Sequence, residues 1–454
     1  MNILIQNGLV IDPENLICSK RSLYLENGKV AAVPDGEVKV DLVIDAENKI
    51  VCPGFIDIHM HEDPLTSEGK LYSDDEKAIL ACMLRMGVTT AVGGNCGENF
   101  YHPADYMDIA DRDGTYTNIA MLAGHQFFRQ QAGCTDDYGA ATPEQIKACA
   151  EAIEDALTRG CAGVSYGIRY VPGMDADELT ATAAGAKKQG KMVAAHIRDD
   201  ASAVFGAARE FLDAGLTLDV PLQVSHIGSM AGFGQMEDFL SLIDDYRAKN
   251  PRIFCDCYPY DAFSTGLGSA TYDDGWIQRY NCSYDAVELA DGKYKGQRCT
   301  KEIFDEVRRD DPQCRTICYV MEQSQVDLAY THPAVMLGSD GVMNAGAGHP
   351  RASGAFPRFI RRYVKGGKLS MFDAINRMTS MPAKQLGLKS KGNLSIGADA
   401  DVLIFDPETM EERSTFENPL TAPVGIDYVI VNGTPAVKDG KIINGRAGKS
   451  ARVY

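Results

Sequence analysis

The segment Pro53–Asp63 reads PGFIDIHMHED and sets His59 and His61 two residues apart. In a strand, residues i and i+2 point to the same side. Two imidazoles then project together from a strand end, the arrangement that two ligands of one metal need. An H-x-H pair alone carries little weight, because two surface histidines in a loop spell the same way. Here it follows the strand-like run Gly54–Ile58. Four further residues fit the same chemistry. Cys96 lies in GGNCGEN after the run Thr89–Gly93, where a thiol between glycines serves either packing or ligation. His196 ends the run Met192–Ala195, His226 ends Pro221–Ser225, and Asp340 follows Ala334–Gly338 in GSDG. Taken singly, each is explained as a hydrogen-bonded polar residue at a strand terminus. Their recurrence at strand ends is harder to explain that way. His, Cys and Asp are also the residues that a borderline-soft ion such as Zn²⁺ takes. His125 in LAGHQFFR follows a strand too, and a structural role accounts for it equally well; His102 and His332, each before a proline, receive no function.

The elements that must position these residues alternate along the chain. Eight short β-like runs are expected at Gly54–Ile58, Thr89–Gly93, Asn118–Ala123, Gly163–Ser165, Met192–Ala195, Gln223–Ser225, Ile253–Cys257 and Ala334–Gly338. Helical stretches lie between them, at Asp74–Met86, Pro143–Arg159 behind a Thr142 cap, Ala176–Gln189, Ser202–Ala214 and Glu237–Ala248. Eight strands alternating with helices predict a (β/α)₈ TIM-like barrel, whose active site lies at the C-terminal ends of its strands. Both chain ends read as short strands with Asn-Gly, Asp-Gly and Asp-Pro turns, including Pro34-Asp35-Gly36. They predict one small discontinuous β-domain from residues 1–52 and 390–454 around a barrel of residues 53–389. The stretch 266–333 is too long for a simple connection; it holds Trp276 with Tyr272, Tyr280, Tyr284, Tyr294 and Tyr319, and is expected to be an insertion or lid.

Composition excludes several functions. The 454 residues carry 45 Lys+Arg against 63 Asp+Glu, a net charge of −18, so a nucleic-acid partner is not expected. No apolar run approaches the roughly 20 residues of a membrane span. No signal peptide is visible at MNILIQNGLVIDPEN. A cytoplasmic protein with a small-molecule substrate is expected, and homo-oligomerisation is left open. In that setting the 13 cysteines are expected to be reduced thiols.

The segments PGFIDIHMHED, GGNCG, SYGIRYVPG, AHIRDD, QVSHIG, DCYPYDAFSTGL, SDG, HPRASGAFPRFI and GNLSIGADADVLIFDP resemble the amidohydrolase superfamily, and within it the D-aminoacylase or N-acyl-D-amino-acid deacylase branch. The resemblance implies a metal-dependent hydrolase barrel with a small β-sandwich built by both termini. It implies that Cys96, His196 and His226 hold a tight zinc, and that His59 and His61 form a second, weaker position bridged through Cys96. Most superfamily members use a carboxylated lysine as the bridge. Here the fourth strand reads CAGVSYGIRY, without lysine, which agrees with a bridging thiolate. Asp340 matches the general base at the metal. Tyr258 or Tyr260, Ser264 and Arg351 match positions that line the substrate, and Arg351 suits bidentate capture of a carboxylate.

The chemistry so implied is amide hydrolysis. Zinc pulls the pKa of a water it holds to about 7, and Asp340 takes that proton and returns it to the leaving amine. Three departures bear on the substrate. The family's lysine two residues after the sixth-strand histidine is Gly228, its H-x-R-x-E motif reads HIRDD with Asp200, and an additional Arg169 sits in SYGIRY. Arg169 is either a substituted substrate cation or a surface residue beside a loop. The leading expectation is a zinc hydrolase of an N-acyl-D-amino acid or related N-acyl amine. The alternatives are a hydantoinase- or dihydropyrimidinase-like cyclic amidase, a deaminase on the same barrel, or an inactive scaffold.

Overall fold

The computed structural model describes residues 1–34, 40–71, 76–344 and 346–454. Eight parallel strands form one sheet in chain order: β1 (Phe55–Asp57), β2 (Val88–Gly93), β3 (Asn118–Gly124), β4 (Gly163–Gly167), β5 (Met192–His196), β6 (Leu222–Val224), β7 (Ile253–Cys257) and β8 (Val335–Leu337). The ring is drawn together between β8 and β1 by the parallel bridge Met60↔Gly341. There the Asp340 N–H donates to His59 O at 2.7 Å and the His61 N–H to Gly341 O at 2.9 Å. Closure thus falls on the segments that bear two of the expected histidines and the expected base.

Strand periodicity decides which residues face inward. Val193 and Ala195 of β5 share one apolar cluster with the surrounding helices, whereas Met192 and Ala194 share a second with Ile56, Val92, Ala120, Leu122 and Met336. His196 has the inward parity of Ala194. By the same rule Cys255 and Cys257 of β7 fall in the outer cluster, which turns Asp256 inward.

The helices follow from caps and apolar faces. Pro143–Thr158 starts on Thr142, whose side chain forms a capping box with Gln145. The single helix expected over Ala176–Gln189 is two pieces, Ala176–Thr182 and Ala184–Gln189. The Thr182 hydroxyl donates back to Glu178 O at 2.7 Å, a bond that bends helices. The helix expected over Ser202–Ala214 runs over Val204–Leu218, behind a 3₁₀ turn at Ala201–Ala203. The helix expected from Asp74 begins at Ile79, whose N–H donates to Asp63 at 2.8 Å. Asp74 itself, and Asp35 and Gly36 of the Pro-Asp-Gly turn, lie outside the described residues.

Two further sheets come from the chain ends. Strands Lys29–Ala31, Leu23–Glu26, Ile3–Gln6 and Leu42–Asp45 form one. The other runs Lys441–Ile442, Thr434–Lys438, Ile426–Val431, Val402–Phe405, Ile50–Pro53, Leu9–Asp12 and Ile17–Lys20. Ile3, Ile5, Leu25 and Ile44 from one sheet and Val10, Val51, Val402 and Ile404 from the other share one core, which makes a small sandwich. Ile17–Lys20 and Ile50–Pro53 are strands that turn signals alone do not announce. Ile50–Pro53 pairs with strands from both chain ends and runs straight into β1. Between β7 and β8, an antiparallel sheet of Phe263–Gly266, Arg315–Cys318 and Val287–Leu289 carries the helices Trp276–Tyr280 and Lys301–Asp310. Trp276 stacks on Phe304 at 5.3 Å. At the far end of the expected 266–333 stretch, Gln323–Ala329 packs instead on the barrel helix Met236–Arg247.

Asp401 fastens the sandwich to the barrel floor. Its buried carboxylate accepts from Lys391 Nζ at 2.7 Å, Asn118 Nδ2 at 3.0 Å and the Asn432 N–H at 2.8 Å. Asp401→Ala would leave the buried Lys391 charge with Asp399 alone, at 3.1 Å, and would take the acceptor from the Asn118 amide and the Asn432 N–H, so it is expected to cost about 1–3 kcal/mol. Urea denaturation of the two proteins checks this, and a loss under about 1 kcal/mol would reject the role of the anchor.

Candidate metal centre and pocket

The Cys96 Sγ lies 3.4 Å from His59 Nε2 and 3.4 Å from His226 Nε2. Two donor triads share this sulfur, His59–His61–Cys96 and Cys96–His196–His226, and within each the ligand atoms lie within 4.8 Å of one another. Asp340 closes the group: its Oδ1 is 3.2 Å from His61 Nε2 and 3.6 Å from His59 Nε2. The structure thus brings together all six of the residues expected at a metal.

Unusual backbone aims three of them. Cys96, His226 and Asp340 have φ of 53°, 34° and 50°, left-handed conformations that cost residues with a Cβ about 1–2 kcal/mol or more. The surroundings hold them there. Ser165 of β4 accepts the Gly97 N–H at 3.1 Å and donates to Gly94 O, which fixes the turn around Cys96. A Cβ on Gly167 would meet Cys96 O at 2.1 Å, and one on Gly97 would meet Gly167 N at 2.7 Å. The end of β4 is therefore closed by glycine against the Cys96 turn, with no room for a bridging lysine.

Carboxylates behind the ligands orient them. Asp256 accepts the His226 N–H at 2.8 Å and Gln223 Nε2 at 2.7 Å, and lies 3.2 Å from His59 Nδ1. Ser229 Oγ reaches His226 Nδ1 at 3.0 Å. Asp57 accepts the Ser339 N–H at 2.9 Å and the Ser339 hydroxyl, which ties β1 to the Asp340 turn. Burial pushes the Asp57 carboxyl up to about 6, against these hydrogen bonds. Sequence reasoning missed both aspartates. The signal for Asp256 was the alternation in FCDC, where one acid falls between two outward cysteines.

The electrostatics suit a cation. Burial alone would raise the Cys96 thiol, but the His59 and His226 rings hold it well below its ordinary value. Burial opposes charge on His61 too, yet Asp340 and Cys96 carry it up to about 10. For Asp340, burial is overcome first by Arg351 and then by His61, which hold its carboxyl well below the carboxylate range. His196 Nδ1 is a buried polar atom without a hydrogen-bond partner among the described residues. A thiolate shared among four imidazoles, with a carboxylate beside them, fits zinc. The thirteen cysteines form no disulfide among the described residues.

His61, Cys96, His196, His226 and Asp340 open into a cavity of about 260 Å³, lined also by Glu98, Tyr170, Phe263, Ser264, Tyr280 and Arg315. Ser264 lines it, with its hydroxyl unpartnered among the described residues. Arg351 lines it too, with Nη2 2.9 Å from Asp340 Oδ2 and the guanidinium 4.5 Å above the Tyr258 ring. The Arg351 Nε and Nη1 are unpartnered among the described residues, so capacity for an anion remains. His349 fixes this arginine: its Nδ1 accepts the Arg351 N–H at 3.0 Å while Nε2 faces Ala262 O at 3.1 Å.

Three expected substrate contacts fall elsewhere. Tyr258 is fully buried beneath Arg351 and does not line the cavity. Tyr260 turns away, packed edge-on against His349 at 5.0 Å and under Arg358 at 4.5 Å. Arg169 is bound to Asp199 at 2.6 Å and is likewise absent from the lining. The two tyrosines are drawn off by arginine faces, and Arg169 by a neighbouring carboxylate. Gly228 is tightly packed: a Cβ there would meet Cys257 Sγ at 2.9 Å and Met321 Cε at 3.3 Å. Among the described residues, no helix is long and apolar enough to cross a membrane.

The chain matches known proteins on this architecture. A family model described as "Amidohydrolase family" matches residues 50–232, and a second with the same description matches residues 308–437. An N-acyl-D-glutamate deacylase of Alcaligenes xylosoxydans xylosoxydans is 30% identical over 98% of this chain and 96% of its own length. A D-aminoacylase of the same organism is 28% identical over 99% and 97%. The solved N-acyl-D-glutamate deacylase of Bordetella bronchiseptica, bound to zinc and a phosphonate mimic of the tetrahedral intermediate, superposes with a TM-score of 0.87 at 29% identity, covering 99% of both chains. Such likeness over the full length establishes that the chain is a hydrolase of the amidohydrolase family and belongs to its D-aminoacylase branch.

Proposed function

We propose that the protein hydrolyses the linear amide of an N-acyl-D-amino acid or a related N-acyl amine. The observation that carries this reading is the shared Cys96 sulfur, with Asp340 3.2 Å from His61 Nε2 in the lining of one cavity. The names of the deacylase relatives support it. Cys96, His196 and His226 would hold a tight zinc; His59 and His61, with Cys96 and Asp340, would hold a second and weaker one. Bound there, the ion supplies a Lewis acid that polarises the amide carbonyl and makes a water acidic. Asp340 Oδ1 faces this position, takes the proton of the attacking water and returns it to the leaving nitrogen. Arg351 keeps Asp340 ionised, and its unpartnered nitrogens present a cation to a substrate carboxylate. Asp256 holds His59 and the His226 backbone in ligating orientation.

The test of the reaction is a screen of zinc-loaded enzyme against N-acetyl- and N-formyl-D-amino acids, their L forms and hydantoins. Turnover of a D-acyl substrate is expected, and turnover of hydantoins alone would sink the proposal. Asp340→Asn should lower kcat by about 10²–10⁴ while the tight zinc of Cys96, His196 and His226 is retained in elemental analysis; substantial residual activity would remove Asp340 from the base role. Asp256→Asn should weaken zinc binding by about 10–100-fold in competition with a chelator, and unaltered affinity would reduce Asp256 to a packing residue.

A further inference from the structure

Two departures from the family pattern, Arg169 and Asp200, stand in one buried cluster. Arg169 is 8% exposed; its Nη1 donates to Asp199 Oδ1 at 2.6 Å and to Arg198 O at 3.3 Å. Its Nε and Nη2 have no hydrogen-bond partner among the described residues, and its charge acts on Asp200. Asp200 is 4% exposed and lies four residues beyond His196. Its Oδ2 accepts the Tyr280 hydroxyl at 2.6 Å, and Arg279 Nη1 is 3.6 Å from its Oδ1. Both partners belong to the helix Trp276–Tyr280 of the antiparallel unit. One buried carboxylate therefore joins the segment after His196 to the unit that walls the cavity.

Tyr280 is part of that wall. Its ring stacks on Phe233 at 5.2 Å and lies 5.6 Å from Phe263, and Tyr280 and Phe263 line the cavity, where the edge of Asp200 also reaches. A second bridge to the unit runs from the Tyr138 hydroxyl to Asp273 at 2.6 Å, but Tyr138 is 60% exposed. A hydrogen bond to a buried charge outweighs an exposed one, so the Asp200 contact is the stronger fastening. The backbone beside it also departs from ordinary geometry, with Ala201 at φ 50°. Such a conformation persists only where the surroundings over-determine it.

We infer that Asp200 is a positioning residue that holds Tyr280 in the cavity wall, with Arg169 as its counter-charge, so that substrate affinity depends on a contact made outside the metal centre. The kinetic side of the test rests on the amide hydrolysis proposed above, and the exchange side does not. The variants are Tyr280→Phe, which keeps the ring and removes only the hydroxyl, Asp200→Asn, and the double variant, each as full-length zinc-loaded enzyme. KM should rise about tenfold in each single variant with kcat within about twofold, and the double variant should be no worse than Asp200→Asn alone. Hydrogen exchange should quicken in peptides covering residues 270–290 and stay unchanged over Met192–His196. Unchanged KM and exchange, effects that add, or a fall in kcat at constant KM would each overturn the assignment. If no amide is turned over, unchanged exchange in both single variants still overturns it.

Discussion

A buried thiolate surrounded by imidazoles governs the rest of this structure. Cys96 is 3% exposed, and an isolated charge at such depth would be driven to neutrality. It is sustained because His59 and His226 approach it to 3.4 Å and because the amidohydrolase barrel delivers ligands from several strand ends to one point. Four of the ligands are in turn held by a hydrogen-bonded partner: Asp256 behind His59 and His226, Arg351 beside Asp340, and Ser165 beneath the Cys96 turn. None of these contacts is local in sequence, so the centre exists only when the ring is closed.

The closure explains where backbone strain is stored. Left-handed residues at Cys96, His226 and Asp340 re-aim three side chains after β2, at the end of β6 and after β8. Regular strand geometry would carry alternate side chains along the barrel wall. A turn to positive φ directs them across the mouth instead. Gly97 within the Cys96 turn and Gly167 at the end of β4 let that turn and the strand end approach within contact distance. The same proximity removes the space in which a lysine bridge would stand, so the thiolate and the absent lysine are one structural choice.

The barrel was legible because its strands are short apolar runs at regular spacing, and seven of the eight are shifted by no more than two residues at either end; Ile253–Cys257 is unshifted. The metal-site residues were legible because His, Cys and Asp at strand ends are rare enough to stand out. Asp256 and Asp57 were not, since an acid inside an apolar strand also reads as a surface residue until its parity and partners are known. Tyr258 and Tyr260 misled for the opposite reason. Their motif placed them at a strand end, but arginine faces, Arg351 over one and Arg358 over the other, decide where the rings lie. Arg169 shows the same limit: a cation near a site is read as a substrate contact until the carboxylate beside it is seen.

Charge balance near the base has a further consequence under the proposed reaction. The chain as a whole is acidic, at −18, so attraction of a carboxylate must come from within the cavity. Arg351 gives one nitrogen to Asp340 at 2.9 Å and keeps two unpartnered among the described residues. Its charge holds the Asp340 carboxyl well below the ordinary range, so Asp340 stays ionised beside the imidazoles. A substrate carboxylate on the remaining nitrogens shares that charge and adds a negative one nearby, and both effects raise the proton affinity of Asp340. Arg351 thereby links recognition to reactivity.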